Sequence, residues 1–549
     1  MTLDHLATAP FDLDAEALAW VQRTFTALTP EERLRQLFVL CGGLDDVGHA
    51  ALVAFAPGGI TAVYDHHHER ERRHVAELVA KAKVPPLVSA DLEGSRMSLP
   101  FGAEVPNPLA LAAIDDVEAT RKMSRIMAEE AVAAGINWSF TPVIDVNHAW
   151  RSAIVATRGF GSDVAAIARH ALAQIEVFQR HGIAATVKHW PGEGYDDRDQ
   201  HLVTTINPLD LMEWEHVFGK LYSAAIDAGV MSVMSAHIAL PGYVRARTPD
   251  AGLEAFRPAS LSKLLTTELL RGHLGFNGLI VSDATPMAGF GSWAPRHQAI
   301  PDCITAGCDM ILFSGDAEAD LAYLKAALGD GRLEQARIDD AVLRVLGFKA
   351  ALGLHLGARK PPAPDVAANR RAAMAITRRA PTLVKDTQNL LPLDPVKHRR
   401  VLVMTPGIGA PWSAEPLPFK LPDLLAARGF EITLHKPDTI ISREAFDLVL
   451  YLFGDETLIA RNRIFLDWLK LGGNIGKAMQ RTWHDIPTLM VSFGYPYMLY
   501  DAPRMLTVIN AYTTMDTMQE AVAEALLGNI PWNTHSPVDP FCGLEDARY

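Results

Sequence analysis

Eight short, unbroken apolar runs punctuate the first part of the chain: 37–40, 59–64, 86–90, 137–143, 184–189, 230–237, 278–282 and 310–313. A strand with one wet face alternates apolar and polar residues, so unbroken runs predict strands buried on both faces. Amphipathic stretches such as 163–179 and 261–270 lie between them and predict helices. Eight β-α units over about 330 residues predict an α/β fold, a TIM (β/α)8-like barrel with insertions. An open doubly wound sheet is the alternative, and the count of eight favours the barrel. Polar residues gather at the carboxyl ends of the runs: Asp91, Asp145, Asn147, Lys188, His189, His237 and Asp283. A barrel builds its active site at that end, so these residues are expected to converge.

The stretch 357–369 is rich in Pro, Ala and charge, and its three prolines cannot continue a helix. It reads as a linker between a barrel domain over 1–356 and a second domain over 370–549. Beyond it the alternation restarts, with strands expected at 400–405, 430–434, 448–453, 488–492 and 505–509 and a helix at 514–527. This part predicts a smaller α/β/α sandwich. A length of 549 residues suits two domains.

Composition narrows the classes. With 49% hydrophobic and 21% charged residues the chain is globular, neither disordered nor fibrous. There are 51 Lys+Arg against 64 Asp+Glu, a net charge of −13, so neither nucleic acid nor an anionic membrane is an expected partner. The N-terminus lacks the basic start and apolar core of a signal peptide, and no stretch reaches the roughly 20 apolar residues of a membrane span. The expected location is the cytoplasm. Cys41, Cys303, Cys308 and Cys542 show neither a C-x-x-C pair nor zinc spacing, and read as small buried hydrophobes.

The chemistry concentrates in one loop and two strand ends. The loop, 188–201, carries Lys188, His189, Trp190, Glu193, Asp196, Asp197, Asp199 and His201. In an extended segment Asp199 and His201 would project to the same side. A carboxylate beside an imidazole orients it and raises its basicity, giving a general acid and base near neutral pH. The competing reading is a solvated acidic loop. Asp283, after the run 278–282, is either the cap of the next helix or a nucleophile at the barrel mouth. Asp91 and Glu93 pose the same question after the third run. A metal site in the loop, or at the run His66-His67-His68, lacks a recognisable ligand pattern, so no metal is expected.

Taken together these residues resemble glycoside hydrolase family 3, in particular its bacterial β-N-acetylglucosaminidases (β-N-acetylhexosaminidases). Their loop reads Lys-His-(Phe/Trp)-Pro-Gly-His-Gly, four residues, then Asp-Ser-His. Here it runs from Lys188 to His201 at the same length. The segments 91–97, 157–163, 258–270, 278–284, 306–316 and 382–392 are similar too. The resemblance spans roughly residues 30–545. It implies an exo-acting hydrolase that retains configuration, needs no cofactor, and cleaves terminal β-linked N-acetylglucosamine from chito-oligosaccharides or muropeptides. Asp283 would be the nucleophile and His201, held by Asp199, the general acid/base. Asp91, Arg158, Lys188 and His189 would hold the sugar. Trp190 reads as packing. An imidazole acid/base does not repel anions as a carboxylate would, so inorganic phosphate could replace water as acceptor.

Four departures stand out: Glu193 in place of His, Gln200 in place of Ser, Ser95 in place of Gly, and Leu99 where a second Arg is often found. The competing enzyme is a family 3 β-glucosidase drawing a Glu acid from the second domain, with Glu415 and Glu456 as candidates. An inactive sugar-binding homologue is the competitor from another class.

Overall fold

A computed structural model describes residues 3–64, 68–357, 362–409 and 415–549. Eight parallel strands lie where the apolar runs predict them: β1 (Phe38–Cys41), β2 (Gly59–Thr61), β3 (Leu87–Ala90), β4 (Trp138–Ser139), β5 (Thr186–Trp190), β6 (Ser232–Ser235), β7 (Leu279–Ser282) and β8 (Ile311–Leu312). Pairing runs β8-β1-β2-β3-β4 and β5-β6-β7. Single parallel bridges, Trp138↔Ala184 and Val143↔Lys188 on one side and Val281↔Met310 on the other, join the two arcs into a ring. Every residue of β2, β3, β5, β6 and β7 is buried, as unbroken apolar runs require. Helices cover the ring. The helix Val164–Arg180 starts where Asp163 caps it by accepting from the Ala166 N–H. The helix expected at 261–270 forms at Leu264–His273.

The second sheet, in the order β9-β14-β13-β12-β10-β11, comprises β9 (Thr382–Asp386), β10 (Arg400–Met404), β11 (Glu431–Leu434), β12 (Leu448–Phe453), β13 (Thr488–Ser492) and β14 (Thr507–Asn510). All its pairings are parallel except β9 with β14. Periodicity did not announce β9, whose polar residues Thr382, Lys385 and Asp386 break the apolar run.

Buried apolar residues fall into two clusters, one around the barrel and one around the second sheet. Leu109, Ala110 and Ala113, from the helix Pro108–Ile114 of the barrel half, belong to the second cluster and seat the two halves on each other. The segment expected as a linker is helical from Val366: Asp365 caps the helix Val366–Thr377, and Ala373 and Ile376 join the barrel cluster. Among the cysteines Cys303 and Cys308 are buried and Cys542 half-buried, but Cys41 is exposed at the end of β1, where the strand leaves the core. His66 and His67 lie outside the described residues, and His68 opens the helix His68–Lys81. No helix among the described residues is long and apolar enough to cross a membrane.

Candidate active site

At the carboxyl ends of β3, β4, β5, β6 and β7 the structure gathers the charged residues that the strand ends predict. Lys188, at 2% exposure, donates to Asp91 Oδ1 at 2.8 Å and lies 2.9 Å from Glu93 Oε1. Arg158 reaches the same Glu93 through Nε and Nη2, both at 2.9 Å, a planar fork on a carboxylate. Glu93 is thus the shared counter-ion of two buried cations. Burial alone would raise its carboxyl, but Arg158 and Lys188 outweigh that and hold it far below the usual carboxylate range. For Lys188 burial works against the charge, while Asp91 and Glu93 more than restore it. Asp91 is the more open of the two carboxylates, with about a third of its side chain exposed.

His189 is oriented by Asp145, whose Oδ2 lies 2.6 Å from Nδ1. That bond places the proton on Nδ1 and leaves Nε2 facing the Arg158 guanidinium at 3.4 Å. Asp145 Oδ1 also accepts the backbone N–H groups of His189 and Glu193, at 3.1 and 2.9 Å, and so fixes the start of the loop. Gly192 and Gly194 adopt φ of +119° and +107°; a Cβ on Gly194 would sit 1.9 Å from the Val146 carbonyl oxygen. Only glycine allows this close approach. Trp190 is fully buried, edge-on to Trp214 and Tyr222, and serves as packing.

Asp199 and His201 do come together, by a different route from the expected one. The segment is a turn, not an extended strand: the N–H groups of Leu202 and Val203 return to the Asp199 carbonyl. Asp199 Oδ1 accepts the His201 backbone N–H at 2.8 Å and lies 2.7 Å from its Nδ1. An aspartate commonly closes such a turn on the amide two residues ahead, and here the imidazole shares the same oxygen. Burial pushes the Asp199 carboxyl up, and the His201 ring with the N–H groups of His201 and Ala460 brings it below its ordinary value. His201 remains about a quarter exposed.

Asp283 follows β7. No helix begins at it, since the next one, Ala288–Gly291, takes no side-chain cap, so the capping reading fails. Burial would raise its carboxyl, but His189, His237, His201 and the Ala284 N–H hold it below the ordinary value. The backbone N–H groups of Ala288 and Gly289 bond to the carbonyls of His201 and Gln200, tying the loop after β7 to the Asp199–His201 turn.

Three residues outside the expected catalytic and sugar-binding sets hold this site, and Gln200 points into it where the sequence reading has its side chain pointing away. Gln200 is fully buried, donating to Glu193 Oε2 at 3.1 Å and accepting the His237 N–H at 3.0 Å. His237 bridges Ser260 Oγ and the Ala284 carbonyl, and burial keeps its ring below the usual imidazole value. Glu193 is buried with Oε1 unpartnered, and burial together with Asp145 pushes its carboxyl well above its ordinary value. Among the described residues, Asp145, His189 and Glu193 form a group whose ligand atoms could hold a metal ion. The imidazole nitrogen facing that group is already taken by Asp145.

Of the candidate glutamates in the second half, Glu456 is fully engaged. Ser95 Oγ, Thr514 N–H and Thr514 Oγ1 donate to its Oε1 at 2.7 Å each, and Asn107 Nδ2 donates to Oε2 at 3.1 Å. It is an anchor between the two halves. Glu415 is exposed at the edge of a described segment.

The sequence model of the glycosyl hydrolase family 3 N-terminal domain matches residues 31–348. A β-N-acetylglucosaminidase/β-glucosidase of Cellulomonas fimi is 37% identical over 99% of both chains. A β-hexosaminidase of Chromobacterium violaceum is 32% identical over 48% of this chain and 72% of its own. Among solved structures, the β-glucoside phosphorylase BglX superposes with a TM-score of 0.91 at 33% identity, covering all of both chains. A β-N-acetylglucosaminidase from Paenibacillus sp. shares the fold, with a TM-score of 0.78 at 24% identity over 94% of this chain and 100% of that one. The chain belongs to glycoside hydrolase family 3.

Proposed function

We propose that the protein is a retaining, exo-acting enzyme that removes terminal β-linked N-acetylglucosamine and transfers it to water or to inorganic phosphate. The observation that carries this reading is the Asp199–His201 pair, built on a loop bonded to the Asp283 segment. Asp283, kept ionised, attacks the anomeric carbon and forms a glycosyl ester. His201, with Nδ1 directed at Asp199, gives its proton to the leaving oxygen through Nε2. It then takes a proton from the incoming water. Asp91, Lys188, Arg158 and His189 hold the sugar: the two cations donate to hydroxyl and carbonyl oxygens, the Asp145-oriented imidazole lines the pocket beside them, and Asp91, about a third exposed, accepts from a hydroxyl. A neutral imidazole lets a phosphate anion approach the glycosyl ester, which then yields a sugar 1-phosphate.

A second reading, action on β-glucosides, is favoured by the names of the two relatives aligned end to end, the Cellulomonas fimi enzyme and BglX. The hydrogen bonds that saturate Glu456 argue against its serving as the acid in either reading.

The test is a time course with aryl β-N-acetylglucosaminide and aryl β-glucoside, with and without phosphate, on the wild type, Asp283→Ala and His201→Ala. Asp283→Ala is expected to abolish turnover with the fold intact. His201→Ala is expected to slow glycosides with poor leaving groups by about 100-fold or more, and activated aryl glycosides far less, because those need little protonation. Equal losses on both would overturn the acid role. Free sugar as sole product in the presence of phosphate would overturn phosphorolysis.

A further inference from the structure

The turn that carries Asp199 and His201 belongs to the barrel, yet one of its hydrogen bonds comes from the other half of the molecule. The Ala460 backbone N–H donates to Asp199 Oδ2 at 2.8 Å. Oδ1 is spent on the backbone and ring of His201, so the two carboxylate oxygens have separate duties. Among the described residues the donor to Oδ2 is this N–H alone.

Ala460 lies on the loop that follows β12. Successive residues of that loop are fixed to different barrel loops. Glu456 accepts from Ser95 and Asn107, after β3. Thr457 Oγ1 lies 3.2 Å from Thr157 Oγ1, and the Leu458 N–H bonds to the Ala153 carbonyl, both in the loop after β4. Ala460 then reaches the turn after β5 with φ of +60°, a left-handed backbone that costs a residue with a Cβ and persists only where its surroundings enforce it. Two departures from the family pattern fall into place. Ser95 supplies the hydroxyl that grips Glu456. Gln200 pins the same turn from the inside, between Glu193 and His237.

The geometry points to Ala460 as a positioning residue for the acid/base pair: its N–H fixes the Asp199 carboxylate in the plane that aims the His201 ring, so the pair is completed across the boundary between the two halves. The second half thereby serves protonation through a main-chain N–H. This rests on the reading of His201 as general acid. An amide that stabilises the carboxylate and locks its rotation keeps one orientation of the imidazole populated. Without it, Asp199 turns about its side-chain torsions and the ring follows.

The test removes that one hydrogen. Replacing Ala460 with lactic acid by nonsense suppression turns the N–H into an ester oxygen and leaves every side chain in place. A second variant, Glu456→Gln, sets an amide NH2 against the donors that grip the loop, and loosens its seating without touching the dyad. Both are measured in the full-length enzyme on an alkyl glycoside and on a dinitrophenyl glycoside. We expect kcat/KM on the alkyl glycoside to fall by about tenfold or more in each, with the dinitrophenyl glycoside changed by less than about threefold. A purely structural loss lowers both alike, and that result, or no change in either variant, overturns the inference. His201→Ala run alongside separates the two layers. If it shows no leaving-group selectivity, the acid reading itself fails. If it does and the 460 ester does not, only the role of Ala460 falls.

Discussion

At the scale of single residues, the site is a set of buried charges whose protonation follows from their neighbours. Glu93 and Glu193 make the contrast. Both are buried glutamates a few ångströms from Arg158 or Asp145, yet two cations grip Glu93 and hold it ionised, while burial and Asp145 push Glu193 towards its neutral form. A carboxyl raised by folding binds its proton more tightly in the native state than in the unfolded one. Its contribution to stability is therefore lost as pH climbs from its ordinary value towards its raised one. Glu193→Gln supplies the neutral form permanently, with its oxygen still able to accept from Gln200. We expect the variant to be more stable than wild type at pH 7–8 by on the order of 1 kcal/mol, with the gain vanishing near pH 4. Urea unfolding at the two pH values checks this. A gain that is equal at both would show that ionisation is not its source.

Among elements, the helix Gln335–Ala351 shows what a barrel tolerates. It lies against the N-terminal helices and buries Lys349 completely, with Gln36 Oε1 at 2.7 Å as hydrogen-bond partner. Burial lowers the Lys349 ammonium to about 7. An amine lowered by folding is protonated more readily when unfolded, so stability rises with pH between about 7 and the ordinary value of 10.5, and is flat below 7. Lys349→Met keeps the apolar volume and removes the amine. The variant should be the more stable protein at pH 6, and should lose the rise that wild type shows from pH 7 to pH 9. Thermal unfolding across that range measures both. A wild type whose midpoint does not rise relative to Lys349→Met would mean that Lys349 keeps its charge in the fold. The strands make the opposite point, since each of β1 to β8 lies within its apolar run or ends one residue past it, although β4 takes only two residues of the run 137–143.

For the whole molecule, the question is how firmly two cores act as one. The contact between Ser95 and Glu456 joins them directly, 361 positions apart in sequence. Ser95→Ala and Glu456→Gln, alone and together, form a double-mutant cycle. We expect their effects on the unfolding midpoint to be non-additive, with a coupling of about 1 kcal/mol. Strict additivity would mean that the bond contributes nothing to the docking of the halves. The sequence by itself determined the eight buried strands, because double-sided burial writes itself as unbroken apolar runs, and the gathering of Asp91, Lys188, His189 and Asp283, because strand ends in a barrel share one mouth. It determined the family too, because a loop of fixed length with fixed chemistry leaves a linear signature. Tertiary structure alone decided the rest. The Asp199–His201 contact arises from a turn closed by the aspartate, where alternation in an extended chain suggested a shared face. Glu93 became a counter-ion, Glu193 a carboxyl pushed towards its neutral form, and Glu456 an anchor through partners distant in sequence. Ala460 met Asp199 through a backbone N–H, a group every residue but proline carries, and so one that no pattern of side chains could mark.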